Sequence, residues 1–269
     1  MPHEIRHRTR DLELGRYAEE LAGAQEKIGE LSRRRFLRLG AAAAGGLLAG
    51  GLLGSRPGRA DEAVKTGQFI FPRLQFAVYD ESPDRWNCAP NGDIILKRKL
   101  AELTNINVSQ EQKVVRLADF DDMVRHPFVF MTSEGYFRLA PEEEKNLREF
   151  LERGGFIFAD DCVLYAKGDR FFLTYCKLID KLFPENPMRK IPYDHEIFHV
   201  YFDFANGAPH MQGVNHGAFG AFERGTGRLM TICTPGDEHC GWQCRFWPMA
   251  QNMQAIKFGI NVIIFFLSH

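Results

Sequence analysis

Two hydrophobic periods alternate along residues 61–269. Residues 73–78 (RLQFAV) switch between polar and apolar in steps of two, as a half-buried strand does. Residues 93–103 carry Ile94, Leu96, Leu100 and Leu103 near helical spacing, and residues 106–108 and 113–117 are short strand candidates. Residues 127–131 (PFVFM) form an unbroken apolar run, the pattern of a strand covered on both faces. The next unit is the clearest. Pro141 suits the first helical position, and Glu142, Glu143 and Glu144 place negative charge at the positive end of the helix dipole. Leu147, Phe150 and Leu151 share a face, Arg148 and Arg153 sit toward the C-terminus, and Gly154 supplies the left-handed residue that stops the helix. Residues 155–159 (GFIFA) then run as a strand to Asp160-Asp161. Strand, helix and strand within about thirty residues make a βαβ crossover, so Phe128 to Met131 and Phe156 to Ala159 are expected as adjacent parallel strands.

Further on, residues 169–183 read as a helix, with Phe172, Tyr175, Cys176, Ile179, Leu182 and Phe183 as its core face. Residues 219–222 and 228–233 read as strands joined through Arg224-Gly225-Thr226-Gly227. Residues 248–267 close the chain as a helix with Met249, Met253, Ile256, Ile260, Ile263 and Leu267 at spacings of three and four. Lys257 and Asn261 interrupt that helix, which makes it a buried core helix and not a membrane span. The alternation predicts one α/β domain over residues 61–269, a three-layer α/β/α sandwich with a mostly parallel sheet.

Composition narrows the class. The 269 residues are 45% apolar and 26% charged, which excludes wholesale disorder and a multi-span membrane protein. Residues 1–60 hold 11 Lys/Arg and 7 Asp/Glu, leaving 23 basic and 28 acidic residues in the body. A net acidic body argues against a nucleic-acid partner.

The N-terminal segment has its own signature. Residues 32–38 (SRRRFLR), with the pair Arg33 and Arg34, lead into an uncharged Leu/Ala/Gly stretch over residues 39–55 and then Gly58-Arg59-Ala60. This resembles a twin-arginine signal, with residues 1–31 as an extended leading region. The resemblance implies the twin-arginine translocon as a partner, passage across the membrane already folded, and a periplasmic destination. Cleavage after Ala60 is expected; retention would make the segment an N-terminal membrane anchor. All six cysteines lie beyond it, so they fold as thiols before meeting an oxidising compartment.

Candidate chemistry gathers in three places. Asp160 and Asp161 end a predicted central strand, where open α/β sheets place their sites. Successive strand residues point to opposite faces, so one carboxylate is a candidate general base and the other a helix cap. Asp194-His195 is a candidate proton-transfer pair, with Asp194 alternatively capping the turn at Glu196-Ile197-Phe198. Asp237, His239 and Trp242 form a polar-aromatic loop suited to lining a ligand pocket, and Glu134 ends the neighbouring strand. His216 is a lesser loop candidate. Cys233, His239, Cys240 and Cys244 show one zinc-like knuckle without a second, so buried thiols are the expectation and no metal is assigned. No cofactor is indicated. A functional pocket is expected with Asp160 or Asp161 on its floor, His195 across from it and Glu134 on the rim. Replacing Asp160, Asp161 or His195 is expected to leave folding largely intact.

The segments PFVFMTSEG (127–135), LREFLERGGFIFADD (147–161), DHEIF (194–198), residues 237–242 and KFGINVIIF (257–265) together resemble an uncharacterised bacterial domain-of-unknown-function family. Relatives show Gly-His-Gly where this chain has Ser133-Glu134-Gly135, so no role for that histidine transfers. The family is distantly similar to the class I glutamine amidotransferase-like fold, including its trehalose-utilisation branch, and so to a flavodoxin-like sheet. Amidotransferases carry a cysteine nucleophile in a Gly-x-Cys-x-Gly elbow. Here the stretch is Ala159-Asp160-Asp161-Cys162, without that elbow. The resemblance also associates such domains with AAA ATPases and von Willebrand A-type proteins. Two functions follow as expectations: a partner- or ligand-binding envelope protein lacking the nucleophile, or a hydrolase or lyase on a small carbohydrate-type metabolite using Asp160, Asp161 and His195.

Overall fold

The computed structural model describes residues 67–78, 85–163 and 168–269. Arg33, Arg34, the apolar stretch and the expected cleavage position lie outside the described residues. The strands are β1 (Pro72–Gln75), β2 (Lys113–Arg116), β3 (Phe128–Ser133), β4 (Phe156–Asp161), β5 (Arg189–Lys190), β6 (Phe219–Phe222) and β7 (Leu229–Thr234). The helices are α1 (Asn91–Leu103), α2 (Phe120–Met123), α3 (Pro141–Glu152), α4 (Arg170–Leu182), α5 (Glu238–Trp242) and α6 (Met249–Ser268).

The strands form one sheet in the order β2-β1-β3-β4-β7-β6-β5. β2, β1, β3, β4 and β7 are parallel; β6 and β5 finish the edge antiparallel. Phe128 pairs with Phe156 and Met131 with Ala159 in the parallel register that the crossover required. Two of the expected strands are shorter or absent. The first stops at Gln75, leaving Val78 as an isolated bridge to Phe137, and residues 106–108 make a single bridge from Val108 to Phe69.

Alternation along β3 and β4 sorts the core into two layers. Phe128, Phe130, Phe156 and Phe158 pack with Leu96, Leu100, Trp242, Ile256 and Ile260 beneath α1 and α6. Val129, Met131, Ile157 and Ala159 pack with Leu147, Phe150, Phe172 and Ile179 beneath α3 and α4. The sandwich therefore has three layers. Burial is worth about 2–3 kcal/mol for each phenylalanine, so the aromatic tier on β3 and β4 dominates the first layer. α6 passes through the core, with Asn252 and residues 255–265 buried. Asn261 compensates its own burial by donating to the carbonyls of Ile197 and Phe202 at 3.2 and 2.8 Å.

α1 and α5 meet closely on the first layer. A Cβ at Gly92 would lie 2.8 Å from the His239 carbonyl oxygen, so only glycine lets the two backbones approach this far. That contact, and the αL conformation of Asp237 (φ 60°) before α5, set the position of the site.

Candidate functional site

Strand order reverses between β1 and β3, and open parallel sheets gather their sites beyond the carboxyl ends at such a point. Arg73 of β1 lies beneath α1 and α5, 2% exposed. Its Nε and Nη2 donate to Asp93 at 2.8 and 2.6 Å, and Nη1 donates to the carbonyls of Trp86 and Cys88 at 3.3 and 2.5 Å. Burial disfavours the charge, but Asp93 outweighs it and holds the pKa above the ordinary arginine value.

Asp160 faces the same layer. Its carboxylate accepts from Thr234 Oγ1 at 2.6 Å and from the backbone N–H groups of Glu238 and His239 at 3.3 and 2.9 Å. It braces the start of α5. Burial raises its pKa, and burial followed by the Asp160 charge pushes Glu238 well above the usual range. Both Glu238 carboxyl oxygens are buried there without a hydrogen-bond partner. Asp161 turns to the opposite layer, where Oδ2 accepts from Phe172 N at 2.9 Å in the first turn of α4. Burial, chiefly, pushes its pKa up to about 8. The split between the two aspartates is the one that strand alternation predicts, and Asp161 is the helix cap.

The next residue returns to the first layer. Cys162 Sγ lies 3.5 Å from Cys240 Sγ, although the two are 78 residues apart. Cys162, Asp237, His239 and Cys240 each place a donor atom within 4.8 Å of the others. Asp237 Oδ2 accepts from Gln212 Nε2 at 2.5 Å, while Oδ1 is buried without a partner. His239 Nε2 sits 3.2 Å from the Ala89 carbonyl and 3.1 Å from Arg73 Nη2; Nδ1 is buried without a partner. Burial, and then the Arg73 charge, hold the imidazole well below its ordinary pKa, so it is neutral. Cys88 stands beside this group, with Sγ 3.8 Å from Thr132 Oγ1. Burial opposes its ionisation, yet the Cys162 thiol and the Arg73 guanidinium together draw its pKa down.

Several expectations need correction. His195 does not lie across from the aspartates. It lines a groove of about 950 Å³ with Gly154, Phe156, Leu229, Phe265, Phe266 and His269 at the amino ends of the strands. β4 runs from Phe156 to Asp161, and five strand steps put roughly 16 Å of backbone between the two ends. His195 itself caps the Glu196–Phe198 turn, its Nδ1 accepting from Ile197 N at 3.2 Å; Asp194, the alternative candidate for that cap, is exposed at the same end. Trp242 is a packing residue and not the wall of a ligand pocket. It is fully buried against Phe71, Phe130 and Phe158, and its Nε1 donates to Ala255 O at 3.0 Å. Cys233 faces the second layer and Cys244 packs on the first, so neither joins His239 and Cys240, in line with the expectation of buried thiols at those two positions. Glu134 does stand just beyond β3, half-exposed and ion-paired with Arg85. On the second layer, His216 Nε2 lies 2.5 Å from Asp169 Oδ2, and its ring stacks on Phe172. Asp169 is close enough to Asp161 to raise its pKa.

Residues 72–267 match the family described as Domain of unknown function (DUF4159). The chain belongs to that family. No curated protein matches the chain. The matched span runs from the first residue of β1 almost to the end of α6, so Arg73, Asp160, Cys162 and the α5 cluster are all parts of the DUF4159 domain. Sequence reading passed over Arg73 and Cys162. Alternation carried one residue past Asp161 would have placed Cys162 on the face of Asp160, and an arginine inside an apolar strand was itself a signal of a buried partner.

Proposed function

We propose that the chain is exported by the twin-arginine route and that its DUF4159 domain serves the cell envelope as a ligand- or partner-binding domain without amidotransfer activity. The observation that carries this reading is the use of the strand end where an amidotransferase presents its nucleophile. Asp160 and Asp161 brace α5 and α4 there, and the Cys162 thiol is buried with its pKa raised well above normal by hydrogen bonds to Cys240 and Cys88 and by burial. A thiol in that state is a poor nucleophile. The binding surface in this reading is the rim above the buried cluster, formed by Glu134, Arg85 and Cys88.

Two measurements test it. Replacing both Arg33 and Arg34 with Lys should leave the chain in the cytoplasm; the double variant recovered from the periplasm contradicts export. Purified protein should release no ammonia from glutamine, and a Cys162-dependent release contradicts the binding reading. A hydrolase or lyase reading finds its support in the His216–Asp169 pair beside Asp161 and no longer in His195. Activity on a small glycoside or lactone that vanishes in His216→Ala favours that reading.

A further inference from the structure

We propose that the DUF4159 domain holds one zinc-type divalent cation between Cys162, Asp237, His239 and Cys240. It deepens the binding-domain reading and rests on it in one respect: the two thiols take up the metal while reduced, before export.

The donor geometry comes first. Four side chains from the end of β4 and the start of α5 bring donor atoms within 4.8 Å of one another, and the two sulfur atoms are 3.5 Å apart. Zinc–sulfur bonds of about 2.3 Å set tetrahedral sulfur–sulfur edges near 3.8 Å, so the thiols need little movement to share an ion. Two thiolates, an imidazole and a carboxylate are a zinc ligand set, softer than magnesium or calcium would select.

Unsatisfied atoms come second. Asp237 and His239 are wholly buried, and Asp237 Oδ1 and His239 Nδ1 have no hydrogen-bond partner. Native structures rarely leave such atoms orphaned, and a cation would satisfy both. The outer contacts already orient them. Gln212 holds the other Asp237 oxygen, and His239 Nε2 lies between the Ala89 carbonyl and Arg73 Nη2. The tautomer that donates from Nε2 to Ala89, with Arg73 Nη2 donating to Asp93 alone, is the one that leaves a lone pair on Nδ1 and the one that a metal would select.

The backbone supplies a third observation. Ala89 (φ 43°) and Asp237 (φ 60°) both adopt the left-handed conformation that residues with a Cβ seldom enter. One offers the carbonyl that turns the imidazole, and the other is a ligand. Strain of this kind persists where the surroundings over-determine a site. Binding expels the two thiol protons to solvent and changes no oxidation state.

The test uses the full chain, purified under reducing conditions without chelator. Elemental analysis should find one zinc per chain, and replacement by cobalt should give tetrahedral d–d bands with thiolate-to-cobalt charge transfer. Cys162→Ser and Cys240→Ser should each weaken zinc binding by at least about 100-fold, the upper end of what outer contacts alone contribute. Cys176→Ser and Cys244→Ser should leave it unchanged. A folded wild-type chain that binds neither zinc nor cobalt overturns the proposal, as do thiolate bands that survive in the Cys162→Ser/Cys240→Ser double variant. A Cys162–Cys240 disulfide formed in the presence of excess zinc overturns it too. The cobalt spectrum of the wild-type chain keeps the test valid if a variant fails to fold. Full zinc content in a chain that stays cytoplasmic breaks the export reading alone; an exported chain without zinc breaks this proposal alone.

Discussion

The two ends of the central strands are built on opposite plans. At the carboxyl ends, Arg73, Asp93, Asp160, Glu238 and His239 are buried, and most of their polar atoms have partners inside the protein. At the amino ends the walls are largely apolar, lined by Phe156, Phe265, Phe266 and Leu267, and the groove between them is open. Cavity volume and chemistry therefore sit apart. The His195 groove offers about 950 Å³ at one end, whereas the charges, thiols and unsatisfied atoms are at the other.

Substitutions at the two ends should differ sharply in cost. Arg73→Met should have the largest effect, because it leaves Asp93 buried beside two carbonyls stripped of their donor. Loss of one partner from a buried pair costs about 3–5 kcal/mol, and chemical denaturation of the variant is the check. A cost under about 1 kcal/mol would mean that the carboxyl end is less dry than its geometry implies. Asp160→Ala should follow at about 2–4 kcal/mol, since Thr234 and two backbone N–H groups of α5 lose their acceptor. This reverses the expectation that a strand-end aspartate is dispensable for folding.

Asp161→Asn should cost less than about 1 kcal/mol near neutral pH, because the carboxyl is already largely protonated there and the amide oxygen still accepts from Phe172 N. The sign with pH is fixed. A carboxyl whose pKa rises from 3.8 to about 8 on folding destabilises the protein progressively as pH climbs through that interval. The Asn variant should therefore gain on the wild type between pH 5 and pH 8, in paired denaturation curves. Curves that stay parallel would show Asp161 ionised in the native state. Smallest of all, His195→Ala should cost about 0.5–1 kcal/mol, the worth of a turn cap at a half-exposed position. A larger loss would mark the amino end as the more tightly built of the two.

The frame of the molecule was legible because its signals are local. Pro141, the three glutamates and Gly154 delimit α3, and the apolar runs before and after it define β3 and β4. Alternation also separated Asp160 from Asp161 correctly. The site was less legible because its partners come from distant parts of the chain: Arg73 from β1, Cys162 after β4, Asp237 to Cys240 at the start of α5. The pairing of Asp160 with His195 failed for a physical reason. Nothing in a loop dipeptide tells which end of the sheet the chain has reached. α5 was missed because five residues starting from a left-handed aspartate show neither an ordinary cap nor a full turn of periodicity. Trp242 sits in a stretch that reads as a polar loop, yet a helix one turn long is enough to turn it into the core, where a tryptophan ordinarily packs.

The claim that the carboxyl ends are the working end is tested most directly by anomalous diffraction at the zinc edge from crystals of the full chain. The account predicts a single peak at bonding distance from Cys162 Sγ, Cys240 Sγ, Asp237 Oδ1 and a His239 ring nitrogen. A zinc-free cluster with both sulfurs joined, or a peak beside His195 and His269 at the amino ends instead, would contradict it.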